Sequence, residues 1–204
     1  MLTLSRPPES SFELDGQEIR LNLAYDNVLR LFELFEDDMF NAYEKISTAL
    51  KMLIIDHEEI MQLEFEYQLE LFYFIQKEFL DPEKQTDEDQ PKKKIMDWKK
   101  DAGMIYASFL SEYQIDLFKV QGQLQWSQFM ALLTNLSDST AFKKAVGYRT
   151  MKVPSGKQAT EEYRNHVIKM KQLHSLEDPE EKQETLENTL DAVASTFAKG
   201  GGKQ

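Results

Sequence analysis

What most constrains this chain is the spacing of its apolar residues, which recur every three or four positions in one stretch after another. Val28, Leu31, Phe32 and Phe35 share one helical face, and Tyr43, Ile46, Leu50 and Leu53 repeat it after the acidic break Glu36-Asp37-Asp38. That period predicts amphipathic helices over 25–36 and 41–55. Trp98, Ala102, Ile105 and Phe109, with Tyr106, Leu110 and Tyr113 beside them, predict another over 95–112. Trp126, Phe129, Leu133 and Leu136 mark one over 124–135, and Tyr163, Val167, Met170 and His174 mark a last bundle helix. Between these two, Ser137 or Ser139 is expected to cap a short helix carrying Phe142 and Val146, which Gly147 ends in a left-handed conformation. Residues 11–22 break the pattern: Phe12, Leu14, Ile19 and Leu21 alternate around Asp15-Gly16, a pair that suits the tight turn of a β-hairpin.

The most apolar segment is 58–80. Ile60, Leu63, Tyr67, Leu71 and Phe74 form one line, and Met61, Phe65, Phe72, Ile75 and Phe79 the next. The polar remainder is Glu59, Gln62, Glu66, Glu70, Tyr73 and Lys77, with Glu64 and Gln68. So wide an apolar arc predicts a helix covered on more than one side, at the centre of a bundle or against a partner. Residues 81–94 hold two prolines and no large apolar side chain, which reads as an exposed linker, Lys92-Lys93-Lys94 included. Asp178-Pro179 opens a separate helix with Leu186, Leu190, Val193 and Phe197 on a narrow stripe, stopped by Lys199-Gly-Gly-Gly202. That stripe can dock on its own bundle or hold a partner.

The fold expected is mainly α: a helical bundle with a small N-terminal β-hairpin and a separate C-terminal amphipathic helix. Residues 1–24 form the tail and hairpin, 25–80 an acidic helical segment, and 95–176 a second helical segment packing with 25–80 as one domain. Residues 177–204 form the C-terminal helix and a flexible tail.

Composition removes whole classes of function. The 204 residues include no cysteine, so disulfides, thiolate metal sites and cysteine nucleophiles all drop out. The net charge of −12 repels nucleic acid and anionic lipid. No apolar run approaches the ~20 residues of a membrane span, and the N-terminus lacks a signal peptide, so a cytoplasmic life is expected. Charge is also segregated: residues 1–90 carry 22 acids and 7 bases, residues 92–176 carry 7 acids and 14 bases, and residues 177–204 carry 7 acids and 3 bases. The acidic part either faces the basic part within one molecule or meets it in a neighbouring copy or a basic partner.

A catalytic constellation is not found. His57 lies in Asp56-His57-Glu58-Glu59, where Asp56 reads better as a helix cap than as a ligand. His166 and His174 are eight residues apart on one helix, about 12 Å, too far to share a metal. Carboxylates fall on solvated stripes, and no phosphate loop or nucleophile elbow occurs. Neither enzyme nor cofactor is expected.

The run from Asp101 through Leu117, then Leu124-Gln-Trp126-Ser-Gln-Phe129-Met-Ala131-Leu132, then Leu136 through Phe142 and Gly147-Tyr148-Arg149, resembles the phage gene-product-fifteen family. Its signature residues here are Ala102, Tyr106, Phe109, Tyr113, Asp116, Trp126, Phe129, Phe142, Gly147, Tyr148 and Arg149. Most lie on apolar faces and read as core; Arg149 is the one placed to pair with the acidic half. Gln114 stands where the family usually has glycine, which should alter the turn before Ile115, and the helix after Pro179 extends beyond the common end. The resemblance implies a tail assembly chaperone of siphophages, encoded beside the tape-measure protein, which it coats and keeps soluble until tail-tube subunits arrive. It implies action in the host cytoplasm and absence from the finished virion, and a homo-oligomer suits that task. The rival readings are a structural tail or joining component retained in the virion, and a non-enzymatic adaptor. Leu186, Leu190, Val193 and Phe197 are the expected partner-binding residues.

Overall fold

The computed structural model describes residues 3–80, 95–154 and 160–177. It is mainly helical with a two-stranded antiparallel hairpin at its N-terminus. The elements are β1 (Ser11–Leu14), β2 (Gln17–Arg20), α1 (Tyr25–Glu36), α2 (Ala42–Leu53), α3 (Phe65–Ile75), α4 (Ala102–Tyr113), α5 (Trp126–Thr134), α6 (Ala141–Thr150) and α7 (Glu161–Leu173). Among the described residues no helix is long and apolar enough to cross a membrane.

The hairpin pairs Phe12 with Ile19 and Leu14 with Gln17. Asp15 and Gly16 take φ of 50° and 82°, the double left-handed turn that a two-residue loop needs to follow the strand twist.

The chain divides into two compact units, Met1–Pro91 with Phe109–Leu136, and Lys92–Ser108 with Ser137–Gln204. The division falls inside α4, so it does not follow the linear segments 25–80 and 95–176. The first unit carries 24 acids and 8 bases, and the second 12 acids and 16 bases.

In the first unit, residues 21–24 and the first residue of α1 are bonded on both sides. The Asn22 amide donates to the Leu53 carbonyl, while Tyr25 donates to Leu124 and Trp126 donates to Leu23. The buried Asn27 amide adds two bonds, to the carbonyls of Asn22 at 2.9 Å and Met52 at 2.8 Å. Val28 and Leu31 of α1, Ala49, Leu50 and Leu53 of α2, Ile75 of α3 and Phe129 of α5 are buried around this seam. Helix α2 starts with a capping box: Asn41 Oδ1 accepts from the Glu44 amide at 3.0 Å, and Glu44 Oε2 accepts from the Asn41 amide at 2.9 Å.

Segment 58–80 is three pieces rather than one helix: a 3-10 turn at Ile60–Gln62, then α3, then a π turn at Gln76–Leu80. Leu63 and Glu64 are extended between the first two. Gln68, assigned by spacing to the polar stripe, is buried, and its Nε2 donates to the Leu63 carbonyl at 2.9 Å. The break therefore has a side-chain partner for its freed carbonyl, while the apolar period runs across it unbroken. Nor is the wide apolar arc fully covered. Leu71, Phe72 and Ile75 are buried, but Leu63, Tyr67 and Phe74 are exposed.

The second unit corrects three expected helix ends. The helix expected from residue 95 starts only at Ala102, after a turn over residues 98–101. Thr140, not Ser137 or Ser139, caps α6, with its Oγ1 accepting from the Lys143 amide. The helix then runs through Gly147 to Thr150. Lys171 of α7 explains why no glycine stop is needed there: its Nζ donates to the carbonyls of Tyr148, Arg149 and Met151 at 3.1, 2.9 and 2.6 Å. One ammonium thus satisfies two carbonyls of the last turn and that of the C-cap residue, and complements the negative end of the helix dipole.

Gln114, just past α4, has φ of 56°. The backbone therefore takes the left-handed form that glycine favours, with glutamine bearing the strain of its Cβ. Gln114→Gly is expected to raise stability by about 1 kcal/mol, read as a higher urea midpoint at an unchanged slope. An unchanged or lower midpoint would refute the strain.

Candidate functional site

Most of the signature residues fall into two clusters, one in each unit. In the first, Phe129 lies at the centre of a ring stack. Tyr25 is 4.8 Å from it at 17°, Phe109 5.2 Å at 18° and Trp126 5.7 Å at 24°. Phe32 meets Trp126 edge-on at 5.6 Å. The polar tips of these rings are all used inside the protein. Tyr25 Oη donates to the Leu117 carbonyl at 2.6 Å, Trp126 Nε1 to Leu80 at 3.0 Å and Tyr113 Oη to Leu132 at 3.0 Å. Burial, then the nearby Asp26 carboxylate, raises the Tyr25 pKa above its ordinary value. Asp116 caps a short 3-10 turn through the Phe118 amide and pairs with Lys119.

In the second unit, Arg149 and Asp101 form a buried bidentate ion pair, at 2.6 Å (Nη2 to Oδ1) and 2.7 Å (Nη1 to Oδ2). Their side chains are 6% and 0% exposed. Two carbonyls also accept from the guanidinium: Nε donates to His174 at 2.5 Å and Nη1 to Ile95 at 3.0 Å. The Asp97 amide donates to Asp101 Oδ2 at 3.0 Å. A buried charge needs a counter-charge and hydrogen-bond partners, and here four of the five Arg149 N–H donors have acceptors while Asp101 accepts three bonds. Arg149 thus pairs with a carboxylate of the basic segment and not with the acidic half.

Around this knot, Tyr148 stacks on His174 at 5.7 Å and 4°, and meets His166 edge-on at 6.5 Å. Lys100 Nζ donates to the Leu176 carbonyl at 2.6 Å. Phe142 is buried, and its amide donates to Ser108 Oγ at 3.1 Å. Ala102 and Gly147 are exposed, and Tyr106 is half-buried.

Burial first, then the Arg149 charge, holds His174 below its ordinary pKa of 6.5, with Asp101 pulling the other way. The folded state therefore binds this proton less readily than the unfolded chain. His174's contribution is complete above about pH 6.5 and is lost as pH falls from there through the lowered folded-state value. Urea midpoints measured by Trp98 fluorescence should fall over that window. His174→Gln should flatten the fall, and an undiminished fall in that variant would assign it to other groups.

Asp56 does not cap a helix: Arg20 holds it, Nη2 to Oδ2 at 2.7 Å. The neighbouring His57 has a buried Nδ1 with no hydrogen-bond partner. Among the described residues no three His, Asp or Glu side chains group so as to hold a metal ion.

Sequence spacing passed over one surface, the turn joining α1 to α2. Phe35, Met39, Phe40 and Tyr43 are 37%, 88%, 40% and 55% exposed. Glu33, Glu36, Asp37, Asp38 and Glu44 are interleaved with them, and residues 31–44 contain no base. Spacing assigns Phe35 and Tyr43 to the inner faces of their helices, but both are exposed near the helix ends, and Met39 and Phe40, beside the acidic break, belong to no period. Leu186, Leu190, Val193 and Phe197 lie outside the described residues.

These clusters define a mainly helical protein whose most distinctive side chains hold its own chain together, and whose open apolar surface is fringed with acid. The chain belongs to the Bacteriophage Gp15 protein family, whose model matches residues 7–176. The match runs from before the hairpin to just past α7 and leaves residues 177–204 outside it. No curated protein matches the chain, and no solved structure does.

Proposed function

We propose that this phage protein is a non-enzymatic tail assembly chaperone, which binds and solubilises the tape-measure protein in the host cytoplasm and helps recruit tail-tube subunits. Membership of the Gp15 family carries the reading. The exposed apolar turn supports it, because a holdase needs apolar surface kept soluble by charge. Release through displacement by tube subunits needs neither nucleotide nor metal, since mass action suffices. The stripe Leu186, Leu190, Val193 and Phe197 is proposed as a second recruiting element, and self-association would place several such surfaces around one long client.

Co-expression with the tape-measure protein tests this. The expected result is a soluble tape-measure protein that co-purifies with this chain, and loss of tube recruitment when residues 177–204 are deleted. A tape-measure protein that stays insoluble, or this chain found at stoichiometric level in purified virions, would favour a structural component instead.

A further inference from the structure

The α1–α2 turn presents ordered apolar side chains to solvent. Asp37 Oδ1 accepts from the Met39 amide at 2.8 Å, the Asn41 and Glu44 capping box follows, and Lys45 Nζ donates to the Phe35 carbonyl at 2.8 Å. The only base beside the turn on the α2 side is thus engaged with backbone. Two rings are anchored from below, Phe35 against buried Phe72 at 5.3 Å and Tyr43 against Phe65 at 4.8 Å. Met39 and Phe40 lie between them in sequence, on a backbone held by hydrogen bonds rather than by burial.

A turn held this firmly has already lost the conformational freedom that binding would otherwise remove. Methionine and aromatic side chains are also the residues enriched where interfaces concentrate their binding energy. The fringe of Glu33, Glu36, Asp37, Asp38 and Glu44 sets the sign of the partner. An acidic segment would meet like charge here, whereas a basic one is drawn in and oriented.

We propose that residues 33–44 form a docking surface for a basic amphipathic helix, whose apolar stripe covers Phe35, Met39, Phe40 and Tyr43 while its lysines or arginines face the acidic fringe. This deepens the client-binding reading and rests on it for the identity of the natural partner. The surface itself is tested without that partner.

The probes are two fluorescein-labelled synthetic helices with the same leucine stripe, one with lysine on its polar face and one with glutamate. They are titrated with the full chain and followed by anisotropy. The lysine helix should bind at least about tenfold more tightly than the glutamate helix, and more weakly as salt rises. The triple variant M39S/F40S/Y43S and the charge variant E33K/D38K should each lose about tenfold in affinity for it. Phe118, 70% exposed in the same unit, supplies the control, and F118S should bind as wild type does. All the substituted residues are exposed, and circular dichroism verifies that each variant folds.

Equal binding of the two helices, an unaffected triple variant, or equal loss in F118S would overturn the proposal. So would a triple variant that changes the oligomeric state while the lysine helix fails to compete, because the turn would then be a self-interface. Co-expression with the tape-measure protein separates the two claims. A wild-type chain that fails to solubilise it refutes the chaperone reading and leaves the peptide result standing. A triple variant that solubilises it as well as wild type refutes this surface and leaves the chaperone reading intact.

Discussion

Replacing Arg149 with alanine is expected to destabilise the unit of Lys92–Ser108 and Ser137–Gln204 by about 3–5 kcal/mol, because it leaves the Asp101 carboxylate buried without its counter-charge. The same substitution frees the carbonyls of His174 and Ile95 from their donor. Asp101→Ala should cost a similar amount by stranding the guanidinium. The net worth of the pair is a separate matter, since two charges and their hydration were given up to make it. The double variant D101L/R149M, apolar on both sides, should recover most of either single loss. The two tryptophans make the measurement local: Trp98 belongs to this unit and Trp126 to the other. Urea unfolding followed by Trp98 in a Trp126→Phe background reads the cost directly. Single losses under about 1 kcal/mol, or a double variant as unstable as the singles, would show that the two charges do not depend on each other as their burial and bidentate contact imply.

Phe129→Ala should have the other large effect, about 3–5 kcal/mol, in the unit of Met1–Pro91 and Phe109–Leu136. Its ring touches Tyr25, Phe109 and Trp126 at once, so truncation opens a cavity that three rigid neighbours cannot easily close. Phe129→Leu keeps much of the volume and should cost less than half as much. Far-ultraviolet circular dichroism during urea unfolding provides the midpoint without depending on Trp126, whose emission the substitution itself will change. If alanine and leucine cost the same, the stack contributes through its ring edges and faces rather than through filled space.

Helix positions were legible in the sequence wherever a buried face and a polar face alternate within one element. Tyr25–Glu36 falls at the predicted bounds, and Ala42–Leu53 and Trp126–Thr134 fall within a residue or two of theirs. The hairpin was legible for a different reason, since Asp15-Gly16 carries its own turn chemistry. Chain breaks and ends were less so. Leu63–Glu64 interrupts a continuous apolar period, because Gln68 supplies the bond that makes the break tolerable. Gly147 does not end its helix, because Lys171, more than twenty residues away, closes the carbonyls a glycine turn would have closed.

The candidate surfaces divide the same way. Period and composition marked Phe109, Trp126, Phe129 and Phe142 as core, and all four are buried. The family signature singled out Arg149, and regional charge pointed to the acidic half as the source of its carboxylate, which is not where the partner lies. Regional net charge guides long-range steering in water, whereas a buried guanidinium selects the acceptor that fits its two-pronged geometry at contact distance. Asp101 meets that condition from within a basic segment.

From sequence alone, then, follow the helical class, the hairpin, the aromatic core positions and the resemblance to a phage family, because each is written in local spacing and residue type. Tertiary structure alone decides the partner of Arg149, the stop of α6, the division inside α4 and the open apolar turn at Phe35–Tyr43. Those depend on which distant groups arrive to satisfy a charge, a carbonyl or an apolar face, and local spacing carries no record of that arrival.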